Sequence, residues 1–196
     1  MNKIFLSALV LVLLSGGYYI WSNGRLPASS KTFQVTSQLP GLPDFQVNYP
    51  AEWEEPVVSA EVSSSKIDWD GNVQKLTFYK KGSPHTYPNA GSEVNVNISF
   101  FAGPLPLGQT LDDFVDSQLL PTAVEKIKYE LVTADGRRIV AQIVSPRSPV
   151  TEYYILLGNS TVIEFMTGSP TGADVNLATK ARSITDKIIQ SININR

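Results

Sequence analysis

Apolar and polar residues alternate strictly through Glu93-Val94-Asn95-Val96-Asn97-Ile98-Ser99-Phe100. That period of two is what a strand with one buried face requires. Leu76 and Phe78 alternate in the same way with Lys75, Thr77 and Tyr79, just after a tight-turn pair, Asp70-Gly71. Phe45-Gln46-Val47-Asn48-Tyr49 predicts a shorter strand, stopped by Pro50. A meander follows over Tyr129–Thr133, Arg138–Ser145 and Glu152–Phe165. Asp135-Gly136 turns its first pair and Gly158-Asn159 folds its last stretch back, since these residue types tolerate tight-turn backbone angles.

The period shifts to that of a helix in two places. Thr110 and Asp113 have the spacing of a capping box, in which a hydroxyl and a carboxylate satisfy the free amides of a helix start. Leu111, Phe114, Val115 and Leu119 then share one face, and Pro121 bends or restarts the helix before Val124 and Ile127. A longer helix is predicted from about Asp174 to Ser191. Its apolar stripe is Leu177, Ala181, Ile184 and Ile188, with Lys180, Arg182 and Lys187 offset from it. Such a stripe packs against a sheet.

Hydropathy sets the N-terminus apart. Ile4 to Leu14 is apolar except for Ser7, Ser15-Gly16-Gly17 interrupts the run, and Tyr18-Tyr19-Ile20-Trp21 resumes it behind a basic start at Lys3. As an uncleaved anchor, Ile4 to Trp21 would span about 27 Å at 1.5 Å per residue, close to the roughly 30 Å hydrocarbon core. Ile4, Phe5, Leu6, Leu11, Leu13 and Leu14 would sit in lipid, with Tyr18, Tyr19 and Trp21 at the interface. As a signal peptide the segment would be cut near Gly17. The anchor is the favoured reading. The domain is expected on the non-cytoplasmic side, or secreted, periplasmic or lumenal after cleavage. The organisation is then 1–21 anchor or signal, 22–31 polar linker (SNGRLPASSK) and 32–196 a single extracytoplasmic domain.

Several phrases occur in a familiar order: LPDFQVNYPAEW, VNVNISFF, TLDDFV, YELVTADGRRIVAQIVS, EYYILLGNSTVIEFMTGSP and ARSITDKIIQSI. In that order, over roughly residues 42–192, the chain resembles PsbP-like proteins. The resemblance implies an α+β fold of the Mog1/PsbP type, an antiparallel sheet flanked by helices as an α/β/α sandwich. It also implies an accessory, assembly-factor-like or protein-binding role rather than catalysis. The chain departs from such relatives in having no cysteine for a lipid anchor.

Charge narrows the partners. Without residues 1–21 the chain keeps 15 basic and 18 acidic residues, so it offers no clustered cation for nucleic acid. The lack of cysteine excludes thiol chemistry and thiolate zinc sites. His85, the single histidine, lies in the loop Lys81–Pro88 and has no Gly-x-Ser-x-Gly elbow to serve. Asp68-Trp69-Asp70-Gly71-Asn72 fails as a calcium loop, because Val73 and Tyr79 stand where Gly and Glu are needed. Asp112, Asp113 and Asp116 suit the positive end of a helix dipole. No cofactor or metal is expected. Lys80, Lys81, His85, Tyr87, Arg137 and Arg138 are the candidate interaction surface, able to meet anionic lipid or an acidic partner if they project from one end of the sheet. The expected partners are the membrane and another extracytoplasmic or membrane protein. The rival within binding is a carrier or sensor of an apolar small molecule or lipid, its cavity lined by Phe100, Phe101, Tyr153 and Phe165. A hydrolase using His85 stands last.

Overall fold

The structure is a computed structural model and describes residues 29–62, 72–82, 96–118, 127–143, 150–167 and 175–194. The apolar N-terminal segment, residues 1–21, lies outside these, as do His85, Tyr87, Leu119, Pro121, Val124 and the turn Asp70-Gly71. Among the described residues no helix is long and apolar enough to cross a membrane.

Among the described residues ten strands form two antiparallel sheets. The small sheet holds β1 (Ser30–Val35), β2 (Phe45–Pro50) and β10 (Asn193–Ile194), with β2 in the middle. The large sheet holds β3 (Val57–Val62), β4 (Asn72–Phe78), β5 (Val96–Pro104), β6 (Ile127–Val132), β7 (Arg138–Ile143), β8 (Thr151–Leu157) and β9 (Thr161–Thr167). Its order is β3-β4-β5-β9-β8-β7-β6, so β3 and β6 are its edges. Among the described residues there are two helices, α1 (Leu111–Ser117) and α2 (Val175–Gln190).

Alternation assigns the faces. Leu76, Phe78, Ile98, Phe100, Ile139, Ala141, Tyr153, Ile155, Ile163 and Phe165 form one buried cluster with β2 and the end of α2. Phe45 is its hub, edge-on to Phe100 at 5.4 Å and to Phe165 at 6.1 Å, and Tyr49 meets Phe78 at 5.9 Å. On the opposite face Leu111, Phe114 and Val115 of α1 pack on Val140, Tyr154 and Val162. The chain is thus an α+β domain with helices on both faces of an antiparallel sheet.

Several expectations are met locally. Thr110 caps α1 as a full capping box with Asp113, and Gly136 and Gly158 take the positive φ of their turns, +84° and +58°. Others are corrected. Ile127, read with the helix beyond Pro121, opens strand β6 and is exposed. β1 starts at Ser30, inside the stretch read as the tether, and β3 was not anticipated. Among the described side chains at the end of α2 and just beyond it, Thr185, Ile188, Ile189 and Ile192 are buried, with Ile184 partly buried. Ile184 and Ile188 of the predicted stripe thus meet the core, and Ile189 and Ile192 join them. Lys187 is half-buried rather than exposed, and the side chains of Leu177, Lys180 and Ala181 lie outside the described set.

Candidate functional site

The antiparallel register decides what the two basic pairs can do. Phe78 pairs with Val96, Ile98 with Thr167, Thr151 with Thr167, and Ile143 with both Thr151 and Ile127. Lys80 and Lys81 therefore lie at this end of the sheet, where Lys80 bridges Trp53 and both lysines are exposed. Arg137 and Arg138 occupy the β6–β7 turn at the other end, where Val132 pairs with Arg138. The expected single surface of Lys80, Lys81, Arg137 and Arg138 is not formed, because each hairpin reverses the chain and the strands between them fix opposite ends.

Nor are the arginines a free basic patch. Arg138 grips Asp112 of α1 with both terminal nitrogens, at 2.8 and 3.1 Å, and also reaches Glu130. Lys128 reaches Asp116 at 3.0 Å and Asp112 at 3.4 Å. Arg137 Nε donates to Asp135 Oδ2 at 2.7 Å. The hydrogen bonds from Arg138 hold the Asp112 and Glu130 carboxyls below their ordinary range. Asp113 is lowered by the hydroxyl and backbone amide of Thr110. Burial pushes Asp135 up, but bonds from Thr133 and Arg137 outweigh it and leave the carboxyl lowered. Among the described residues Asp112, Asp116, Glu130 and Asp135 thus pair with Lys128, Arg137 and Arg138 in ionic contacts that run along β6 and α1 to the β6–β7 turn.

An open cleft of about 460 Å³ lies here. Leu105, Leu111 and Leu156 give it an apolar floor; Gln109, Thr110, Asp112, Arg137, Arg138 and Asn159 give it a polar rim. The loop between β5 and α1 forms one wall. It is held to the β8–β9 turn by the Leu105 amide donating to the Ser160 carbonyl at 2.7 Å, and it turns at Gly108, φ +82°. Leu107 at its tip is fully exposed, and Gln109 Oε1 is buried without a hydrogen-bond partner. A buried amide oxygen with no donor retains its full desolvation cost, which a donor entering the cleft would relieve.

Two buried polar clusters serve the fold. On the α2 face Tyr129 and Tyr153 each donate to Asp186 Oδ1 at 2.8 Å. Burial raises the Asp186 carboxyl and the two tyrosine bonds only partly offset it; burial and the Asp186 charge raise both phenols. On the α1 face Gln142 Nε2 and Tyr154 Oη donate to Glu152 Oε2 at 2.7 and 2.8 Å, and burial raises the Tyr154 phenol. In both clusters hydrogen bonds satisfy the buried groups, which is the ordinary way polar side chains enter a core. Among the described residues no group of three or more histidine, cysteine or acidic side chains could hold a metal ion.

The aromatics expected to line a carrier cavity do not share one. Phe100, Tyr153 and Phe165 are buried in one cluster, with Phe100 and Phe165 at 6.0 Å. Phe101 stands next to Phe100 on the strand, so alternation sends it to the other face.

Fold and cleft together describe a small α+β domain with a solvent-open cleft at one sheet end. No protein-family model matches the chain, and no curated protein matches it either. Among solved structures it is similar to cyanobacterial PsbP (CyanoP) from Synechocystis sp. PCC 6803, with TM-score 0.46 and 13% identity over 88% of this chain and 96% of that one. It is also similar to a protein from Bacteroides thetaiotaomicron, with TM-score 0.33 and 14% identity over 78% of this chain and 45% of that one. The PsbP-like resemblance is therefore present and weak. At this level it carries nothing about activity.

Proposed function

We propose that the chain is a non-catalytic accessory module, tethered to a membrane or exported by residues 1–21, that works by binding another extracytoplasmic or membrane protein. The observation behind this reading is the cleft beside α1. It combines a leucine floor, an exposed Leu107, a saturated ionic rim and an unmatched acceptor at Gln109 Oε1. Such a mix suits a protein segment that inserts an apolar side chain and brings hydrogen-bond donors. The two arginines of the rim are already held by Asp112, Glu130 and Asp135, which favours an uncharged, amide-rich segment over an acidic partner. The buried tyrosines are engaged in structural hydrogen bonds, Tyr129 and Tyr153 holding their strands to Asp186 of α2 and Tyr154 bonding Glu152 within β8, which fits a binding role better than catalysis.

The test places a photo-crosslinking residue at Leu107 of the intact protein in its own membranes. One discrete protein adduct is expected, lost when Leu156→Asp puts a charge in the floor. Full labelling that persists in Leu156→Asp, or the same adduct from a probe at Lys81, would remove the cleft as the binding site. Separately, alkaline washing of those membranes should leave the chain in the pellet. Release with an N-terminus at Tyr18 would show export by cleavage instead.

A further inference from the structure

The chain enters the domain at one end of the sheet, and the cleft opens at the other. The Ser29 carbonyl accepts from the Ala51 amide at 3.0 Å, and β1 starts there with Ser30 opposite Pro50. Just beyond, Trp53 bridges Lys80, and the Glu54 amide donates to the Tyr79 carbonyl at 2.9 Å. The Lys81 amide donates to the Glu52 carbonyl at 3.3 Å. These contacts fix Ser29 beside the end of β4 where Phe78 pairs with Val96. The cleft is bounded by Leu105, just past β5, and by Arg138, the first residue of β7, both at the far end. It also lies on the other face. β1 and β2 pack with Phe100 and Phe165 on the α2 side of the sheet, whereas Leu105, Leu111 and Leu156 belong to the α1 side.

We infer that the cleft faces away from the bilayer and takes a water-exposed polypeptide segment of its partner, not a lipid headgroup or a membrane-spanning helix. This rests on the anchor reading of residues 1–21 proposed above. Eight peptide links then join Trp21 to Ser29. Fully extended at up to about 3.6 Å each, they cover at most about 29 Å. Standing the domain on its cleft end would lift Ser29 by the length of the sheet. The nine residues of β5 rise about 30 Å at roughly 3.3 Å per residue. Each headgroup layer adds about 5–8 Å. The required span exceeds what the tether can cover, so the far end cannot be the end that stands on the membrane. Charge adds no pull of its own at the near end, where Lys31, Lys80 and Lys81 share the surface with Glu52, Glu54 and Glu55. Tether length sets the orientation. A cleft held about a sheet's length above the bilayer is out of reach of lipid and of membrane-spanning helices, so its occupant belongs to a water-exposed part of the partner.

The chain has no cysteine, so one introduced thiol reports on one position. Lys81→Cys and Val132→Cys are exposed positions at the near and far ends of the sheet. Each full-length variant carries a donor fluorophore and is reconstituted in phosphatidylcholine vesicles that contain an acceptor-labelled lipid. Energy transfer should place the Lys81 label at least about 15 Å nearer the lipid surface than the Val132 label, most of the rise of a six-residue strand. Inserting about twenty Gly-Ser residues after Asn23 should at least halve that difference, since a long flexible tether lets the domain tumble. In native membranes the peptide crosslinked to the Leu107 probe should map to a water-exposed segment of the partner. Equal distances, a nearer Val132 label, a difference that the insertion leaves intact, or a crosslink to lipid or a membrane-spanning helix would overturn the inference while leaving the anchor in place. Failure of the anchor reading looks different: alkaline washing strips the chain from the vesicles, neither label transfers energy to lipid, and the inference falls with it.

Discussion

β3 and β6 are both edges of one sheet, equal in length, yet they are secured in different ways. β6 is clamped from both sides. On one face Lys128 and Glu130 join the ionic network that runs through Arg138 to Asp112 and Asp116 of α1. On the other, Tyr129 donates to Asp186 of α2. Its alternation places charges outward and Tyr129 and Leu131 against the core. Among the described residues β3 has only its ladder with β4. An edge strand is therefore not open merely by being last: β6 carries the charges that discourage a further strand, and β3 lacks them.

The sharpest way to break this comparison is to loosen the clamp on β6. Phe114→Ala removes the ring that sits edge-on to Tyr154 at 6.0 Å under α1. It should cost about 3–5 kcal/mol in urea unfolding, as large-to-small changes at buried aromatics do. Native-state hydrogen exchange should then show β6 amides losing protection while β3 amides, already the least protected, hardly change. If both edges lost protection equally, α1 would not be the clamp.

Next in size is Tyr129→Phe, which removes one of the two hydrogen bonds to the buried Asp186. A loss of about 1–3 kcal/mol is expected for a bond to a charged group. Val58→Ala on the other edge should cost within about 0.5 kcal/mol, as exposed positions do. A Val58→Ala cost as large as that of Tyr129→Phe would show that β3 is covered after all.

The smallest effect is in the pH dependence. Asp112 and Glu130 have lowered carboxyls in the folded chain, so their stabilisation is present above the ordinary values of 3.8 and 4.5 and is lost as pH falls through the lowered ones. Asp186 has the opposite sign. Its carboxyl is raised, so its contribution is fully present below 3.8 and is lost as pH rises through the raised value. Arg138→Met should therefore flatten the acid limb of a stability profile, and Asp186→Asn should flatten the decline above it. The Arg138 effect is slight, because that network is exposed and screened by solvent. An acid limb unchanged in Arg138→Met would assign acid sensitivity to other carboxylates.

Much of this fold was legible in the residues themselves. β2, β4, β5 and the meander follow from alternation, and the start of α1 follows from Thr110 and Asp113, because a strand's period and a helix cap are decided within a few residues. β3 was illegible for the reason that makes it interesting: VVSAEV has adjacent valines and no buried face, so it has no period to read. Ile184 and Ile188 of the stripe on α2 were readable, but adding Ile189, and Ile192 just beyond the helix, needs the surface they meet. The network of Asp112, Lys128, Glu130 and Arg138 joins residues up to 26 positions apart, and no local spacing encodes it. The sequence by itself determined most of the strands, the start of α1, the turns at Gly136 and Gly158 and an apolar N-terminal run, since these depend on local backbone preference and hydropathy. Only the tertiary structure decided that the two basic pairs part company, that carboxylates neutralise Arg138, and that one sheet edge is guarded while the other is bare. Those outcomes depend on strand order and antiparallel register, which bring distant residues together or hold them apart.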